Sequence, residues 1–488
     1  MSRLLDALAG RPGTSPVLTG ADVSLTAAGL VARAGVLARQ LADEPGPVAV
    51  ALPNGPDWIV ADLALVMARR PAVPVPDWFG PEQLAHVAAT AGLRAWLGQR
   101  PPPLPHEIVA SPMPGVVLAR LPAQPAAQPA TVAKITFTSG TTGRPKGVCL
   151  AQEHLESVAA SIAAVGRSAG VVRHLCALPL AVLLENVAGA WAALLAGAEC
   201  LVPPLDSLGM SGADGIDAAQ FAAAVAAQEP DSLILVPALL DALVGAIEAG
   251  APRPRGLRLV AVGGARVSVG LLDRAARAGL PVYEGYGLSE CGSVVTLNRP
   301  GDRAPGTAGR PLPHARVALA PDGEVLVDGE LMLGYAGDAL PPPRPWPTGD
   351  IGCFDDDGRL TILGRKRNVF ITAMGRNLSP EWIESELLAE PALRQAAVFG
   401  EGLQRPVAVL VAANRTGARA ALARANARLP GHARVRSWIL ADEPFTAANG
   451  LATANGRVRR DCVWSRYETR FAGPQAPLHH EETIREFL

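Results

Sequence analysis

The chain has 488 residues, 49% of them hydrophobic, and a net charge of −1 from 44 basic and 45 acidic residues. That length exceeds what one core organises and predicts two or three domains. The balanced charge excludes a globally basic nucleic-acid binder. In chain order, "SLTAAGLVARAGVLARQLA" (24–42) predicts a helix with a Ser/Thr start, and "PVAVALPNG" (47–55) a short buried strand ending in a turn. "PDWIVADLALVMARR" (56–70) is a second helix and "AVPVP" (72–76) a second strand. Such alternation predicts doubly wound α/β layers. Residues 100–130 are rich in Pro and Ala and predict a loosely structured connector. "AKITFT" (133–138) alternates as a strand. Helices then alternate with the apolar strands "SLILVP" (232–237), "LRLVAVGG" (257–264) and "PVYEGYG" (281–287). Residues 305–365 are dominated by Gly, Pro and β-type runs, which predicts a small antiparallel subdomain. The pattern restarts after Arg365 with a helix (379–390), strands at 395–400 and 406–413, and an Ala/Arg helix (416–428). The expected fold is therefore a large α/β N-terminal domain, 1–365, with a small antiparallel β subdomain, followed by a small α+β C-terminal domain, 366–488.

Six cysteines lie far apart, with no CxxC pair and no Cys/His metal spacing, which predicts reduced thiols in a cytoplasmic protein. The first residues lack the sustained apolar core of a signal peptide. The most membrane-like stretch, 175–198, is interrupted by Pro179 and by Glu185-Asn186, and predicts buried core elements rather than a span. Only three of the 44 basic residues are lysines: Lys134, Lys146 and Lys366. Abundant Ala, Gly, Pro and Arg fit the coding bias of a GC-rich genome.

The strongest chemical signal is "TFTSGTTGRPKG", 136–147. A strand opens into Thr138, Ser139, Gly140, Thr141, Thr142 and Gly143, then Lys146. Glycines let backbone N–H groups approach phosphate oxygens, hydroxyls add donors and the lysine adds point charge. The spacing does not fit a Walker loop. The stretch resembles the phosphate loop of the adenylate-forming superfamily of acyl-CoA synthetases, adenylation domains and luciferases. Further resemblances follow in that family's order. "AVGGARVS" (261–268) is similar to its adenine-side turn, with Gly263, Gly264 and Ala265. "YEGYGLSE" (283–290) resembles its aromatic–Gly–x–Thr–Glu motif, through Glu284, Gly285, Tyr286, Gly287 and Glu290, with Ser289 in place of the usual Thr. "PTGDIG" (347–352) and "GRKRNVFITAMGRNLSPEWIE" (364–384) resemble its TGD motif and its hinge.

The resemblance implies a doubly liganded chemistry of ATP and a carboxylic acid. Glu290, taken with Thr138, would hold Mg²⁺ against the triphosphate. Tyr286 would stack on adenine, and Asp350 and Arg365 would meet the ribose. Arg367 would be the hinge of a mobile C-terminal lid domain, 366–488, and Gly375 would lie beside the thiol tunnel. "NGLATANGRVRR" (449–460) is similar to the family's lysine-bearing loop, most of all in its long-chain fatty acyl-CoA synthetase branch, with Thr453 and Arg460 matching. Arg457 occupies the lysine position, and the two side chains are not interchangeable. Three readings of Arg457 follow: it does the lysine's job, it leaves adenylation slow with thioester chemistry retained, or it marks lost catalysis. In "LPLAVLLENVAG" (178–189) the aromatic or His common in the family near the acyl pocket is absent, and Leu183, Leu184, Glu185 and Asn186 stand there. The apolar character favours an aliphatic acid.

The expected activity is that of an AMP-forming acid–thiol ligase. It uses ATP and Mg²⁺, and its acceptor is CoA or, alternatively, a phosphopantetheine carrier protein. The rivals are an acyl-AMP ligase loading such a carrier, a specialised adenylating enzyme, and a non-catalytic nucleotide-binding scaffold. A nucleic-acid partner and a transmembrane span are not expected.

Overall fold

The computed structural model describes residues 2–11, 13–44, 46–122, 126, 129, 131–138, 145–211, 215–338, 341–412, 414–453 and 458–471. Two large sheets carry the first two-thirds of the chain. One has eight strands, in the order Gly334–Tyr335, Lys146–Ala151, Val132–Thr138, Ala72–Pro74, Val48–Ala51, Ala95–Gly98, Val117–Arg120 and Glu107–Val109. The other has nine, in the order Arg310–Pro311, Ser293–Leu297, Val282–Leu288, Leu259–Val262, Ser232–Leu235, Arg173–Leu175, Glu199–Leu201, Pro16–Thr19 and Ser24–Thr26. The central strands of both pair in parallel. Such strands are covered on both faces, which explains their near-continuous Val, Ile and Leu. Buried side chains from both sheets and their helices form one extended core.

The helix read at 24–42 begins three residues later. Ser24–Thr26 pairs with Pro16–Thr19, and the helix Ala27–Leu41 is capped by Thr26 Oγ1, which accepts from Gly29 N–H at 3.1 Å. The cap hydroxyl satisfies a first-turn donor and marks the switch from strand to helix. The stretch expected as a loose connector holds two short antiparallel strands, Glu107–Val109 and Val117–Arg120, on the edge of the eight-stranded sheet. Its prolines sit between and beyond them, where no ladder donor is lost.

Residues 315–365 form a four-stranded antiparallel sheet of Ala315–Leu319, Glu324–Gly329, Trp346–Phe354 and Leu360–Arg365. Gly334–Tyr335 leaves this region to pair with Lys146–Ala151. Two hydrophobic clusters are drawn wholly from residues 370–467 and pack around the sheet of Leu393–Phe399, Val407–Ala412 and Ser437–Leu440. The turn Lys366–Asn368 leads into them. Lys366 Nζ is fixed to Asp322 (2.6 Å) and Glu324 (2.7 Å), and Asn368 Nδ2 donates to Glu381 Oε1 at 2.5 Å. Arg367 thus lies between two anchored neighbours.

The apolar stretch 175–198 folds as interior elements. Residues Leu184–Trp191 form a π-helix, followed by the α-helix Ala192–Ala196. Among the described residues no helix is long and apolar enough to cross a membrane. Glu185 and Asn186, the polar interruption, are wholly buried and fully bonded. Asn186 joins a network around Lys134 and Asp62. Lys134 Nζ donates to Asp62 Oδ1 (2.8 Å) and to Asn186 Oδ1, while Asn186 Nδ2 and Trp191 Nε1 reach Asp62 Oδ2 at 2.9 and 2.8 Å. The ammonium also lies 4.9 Å from the Trp191 ring centre, within cation–π range.

Candidate active site

One cavity, of about 3780 Å³, is lined by residues of both large sheets and of the C-terminal third. Its lining gathers most of the residues singled out above. Thr138 and Lys146 stand at the facing ends of an antiparallel pair, where they are register partners. Ser139, Gly140, Thr141, Thr142 and Gly143, between them, lie outside the described residues, as does Arg457. Gly263, Gly264, Ala265, Glu284, Gly285, Tyr286, Gly287, Ser289, Glu290, Asp350, Arg365 and Arg367 all line the cavity.

Glu290 sits in a tight turn, Ser289–Cys291, after the strand Val282–Leu288. The strand bends against Ser293–Leu297 so closely that a Cβ on Gly287 would lie 1.7 Å from Ser293 O. Only glycine allows that approach. Glu290 Oε1 accepts from the Tyr335 hydroxyl at 2.8 Å. The same ring faces Lys146 Nζ, 5.0 Å from its centre. Tyr335 therefore ties the lysine to the carboxylate. Burial and the neighbouring Glu290 push its hydroxyl well above the usual tyrosine range, so it stays a donor. Glu290 Oε2 makes no hydrogen bond among the described residues. That oxygen and the Thr138 hydroxyl are hard donors of the kind Mg²⁺ takes, so the residues present fit the ion.

A second cluster surrounds Asp350. Its Oδ1 pairs with Arg365 Nε at 3.0 Å, and its Oδ2 accepts from Tyr286 O–H at 2.7 Å. Asp350 and Arg365 are register partners on adjacent strands, which fixes the pair. Burial pushes the Asp350 carboxyl up, and Arg365 pulls against it. Burial also raises the Tyr286 hydroxyl, with Asp350 adding to the effect. The ring of Tyr286 is thereby held by its own hydroxyl at the cavity wall.

Glu284, also a cavity residue, turns its carboxylate to Gly306 N–H at 2.9 and 3.2 Å. Burial pushes it up to about 7, against the pull of that N–H and of Arg303 and Arg266. A folded value above the ordinary 4.5 means that folding favours the protonated form. Its contribution is most favourable below pH 4.5 and is lost as pH rises towards about 7. Glu284→Gln is expected to gain melting temperature over the wild type at pH 8 relative to the same comparison at pH 4.5. An equal difference at both pH values, followed by circular dichroism, would overturn this.

Thr453, Val458, Arg459 and Arg460 also line the cavity, and a bridge between Ala452 and Val458 closes the base of their loop. Arg460 is pinned to Glu384 and, at 3.4 Å, to Glu381. Gly375 is different. It sits in an exposed turn between Phe370–Ile371 and Asn377–Leu378, where its N–H donates to Thr372 O (2.8 Å), and it is not among the cavity-lining residues. Tyr335 is the site residue that sequence reasoning missed. The available signal was scarcity: it is one of only four tyrosines.

The family of AMP-binding enzymes matches residues 5–337. Over 150 residues, 30% of this chain and 25% of the relative, the sequence is 39% identical to the long-chain-fatty-acid–CoA ligase FadD15 of Mycobacterium bovis. Over 288 residues, 55% of each, it is 30% identical to a 2-succinylbenzoate–CoA ligase of Bacillus velezensis. The chain thus spans a quarter to about half the length of these curated relatives. The fold matches the crystal structure of the anthranilate CoA ligase AuaEII in complex with anthranoyl-AMP, with a TM-score of 0.77 at 19% identity, covering 96% of this chain and 98% of that one.

Proposed function

Since the chain belongs to the family of AMP-binding enzymes, we propose that it activates a carboxylic acid with ATP to an acyl-adenylate and passes the acyl group to a thiol, CoA in first place. The observation that carries this reading is the convergence, on one cavity, of Lys146, Glu290, Tyr286, Asp350 and Arg365 with Thr453 and Arg460 from the C-terminal third. The acid's carboxylate attacks the α-phosphorus, the bond to the β-phosphate bridging oxygen breaks, and pyrophosphate leaves. Charge on the phosphoryl oxygens must be stabilised in place, and positioning does most of the work. Lys146, backed by the Tyr335 ring, supplies a fixed positive charge. Mg²⁺ bound at Glu290 and Thr138 would neutralise triphosphate charge. The Asp350 carboxylate, set by Arg365 and Tyr286, receives the ribose hydroxyls, and Tyr286 offers its face to the base. The phosphate loop, Ser139 to Gly143, and Arg457 complete the anion site in this reading.

The relatives named above act on fatty, succinylbenzoic and anthranilic acids by their names. We favour an aliphatic acid. Support comes from the π-helix side of the cavity, where Leu183, Leu184, Ala188 and Gly189 line the wall while Glu185 and Asn186 are spent on interior bonds. Residues 366–488 act in this reading as a mobile lid turning at Arg367. Its anchored neighbours, Lys366 and Asn368, would confine the rotation to one residue, and the turn would bring Gly375 towards the thiol's path.

Carboxylate-dependent ATP–pyrophosphate exchange across aliphatic, aromatic and amino acids tests the reading. Exchange with aliphatic acids and CoA-dependent thioester release are expected; ATP binding without exchange for any acid would overturn it. Asp350→Ala is expected to raise the KM for ATP by about 10–100-fold, because a hydrogen bond to a charged group contributes about 1.5–3 kcal/mol. The KM for the acid should move much less, and equal rises in both would count against a ribose contact.

A further inference from the structure

Away from the nucleotide cluster, four donor side chains converge in the core beneath the π-helix. His174 has Cys200 as its register partner on one neighbouring strand and Ser232 on the other. Register partners share a face of the sheet, and Cys176, two residues along, shares it too. Cys176 continues the ladder, its N–H donating to Leu201 O at 2.9 Å. Glu185 descends from the π-helix onto this face. His174, Cys176, Cys200, Glu185 and Ser232 are all at most 4% exposed.

Their bonds divide into an inner and an outer set. Outside, His174 Nδ1 meets Ser232 Oγ at 2.9 Å, and Glu185 Oε2 accepts from Leu178 N–H at 2.8 Å. Inside, His174 Nε2 and Glu185 Oε1 lie 2.9 Å apart, and the two sulfurs 3.5 Å apart. Donor atoms of His174, Cys176 and Glu185 all fall within 4.8 Å of one another. Tetrahedral zinc, with bonds of about 2.0–2.3 Å, sets its donors about 3.3–3.8 Å apart. Closing these three donors on an ion therefore needs shifts of about 1 Å, and Cys200 Sγ, which lies outside that 4.8 Å set but 3.5 Å from Cys176 Sγ, must move further to complete it. Fixing the outer nitrogen of a histidine and the outer oxygen of a carboxylate is how ligands are oriented towards a metal. Gly189 lets this pair pack directly against the π-helix backbone, since a Cβ there would lie 2.1 Å from Glu185 Oε1 and 2.8 Å from His174 Nε2. His174 and Gly189 line the large cavity, which supplies an entry path.

We propose that His174, Cys176, Cys200 and Glu185 bind one borderline-soft divalent cation, with Zn²⁺ the best fit to one nitrogen, two sulfurs and one oxygen. Binding forms two metal–thiolate bonds and releases the two thiol protons to solvent. The ion is structural. It joins strands Arg173–Leu175 and Glu199–Leu201 to the π-helix that walls the cavity, and this inference stands independently of the proposed reaction.

The test uses the full chain, stripped with chelator, exposed to Zn²⁺, desalted and assayed for metal, with Co²⁺ as a spectroscopic substitute. One Zn²⁺ per chain is expected beyond what the Cys176→Ser/Cys200→Ser variant retains. The Co²⁺ form should show thiolate charge-transfer absorption and the visible bands of a tetrahedral site. Ser232→Ala, which touches only the outer set, should bind Zn²⁺ about 10–100-fold more weakly with an unchanged circular dichroism spectrum. Should the double serine variant fail to fold, the Co²⁺ spectrum and the Ser232→Ala affinity still decide. Retention of no Zn²⁺ by the folded wild type, equal retention by the double variant, or a Co²⁺ form without thiolate absorption would overturn the proposal.

Discussion

Replacing Arg457 by alanine is expected to cut carboxylate-dependent ATP–pyrophosphate exchange by about 10²–10³-fold, the cost of losing one charged stabiliser of a developing anion. Arg457→Lys should stay within about tenfold of the wild type. The reasoning starts from both flanks. Thr453 and Val458 line the cavity, and Arg460 is held by Glu384 and Glu381, so the described residues on either side of Arg457 stand at the cavity edge. A guanidinium offers planar, bidentate donors where an ammonium is a compact point charge, so the two need not give equal rates. An unchanged exchange rate in the alanine variant would remove Arg457 from adenylation. A lysine variant much faster than the wild type would mean that the arginine holds this step back.

The largest expected effect on stability lies at Lys134. Its ammonium and the Asp62 carboxylate are 1% and 2% exposed, with Asn186 and Trp191 completing the shell. Burial pulls the lysine's pKa down while Asp62 holds it up. Lys134→Met leaves a buried carboxylate without its counter-charge and is expected to cost about 3–5 kcal/mol in denaturant unfolding. Adding Asp62→Asn removes the orphaned charge and keeps an acceptor for Trp191, so the double variant should be more stable than Lys134→Met alone. A loss under about 1 kcal/mol in the single variant would show that Asp62 is neutral or solvated in the folded chain.

The α/β layers were legible because parallel strands buried on both faces read as short runs such as "SLILVP" and "LRLVAVGG". The cluster proposed to hold the nucleotide was legible because its residues sit in local motifs of Gly, Thr and acid. Tyr335 was not, since its place depends on Gly334–Tyr335 crossing to the edge of the eight-stranded sheet, a pairing some 185 residues distant in sequence. The strands at 107–109 and 117–120 were hidden by the prolines around them. The polar pair Glu185-Asn186 read as an interruption, whereas each residue belongs to a different buried network. The cysteines looked unrelated because parallel strands bring Cys176 and Cys200 together without any short spacing.

The three lysines also carry a lesson about mutational drift. Lys134 fills a sealed polar pocket, Lys146 stands against an aromatic face, and Lys366 bridges two carboxylates. In a chain where nearly every other cation is arginine, these sites act as filters on codon bias. An extra guanidinium plane must fit among tryptophans at Lys134, on a ring at Lys146 and in open solvent at Lys366. Lys→Arg exchange should therefore be tolerated in the order Lys366, Lys146, Lys134, with overpacking costing the last about 1–3 kcal/mol. The rarest basic residue of the chain would then serve as a gauge of how much room each site has left for evolution to use.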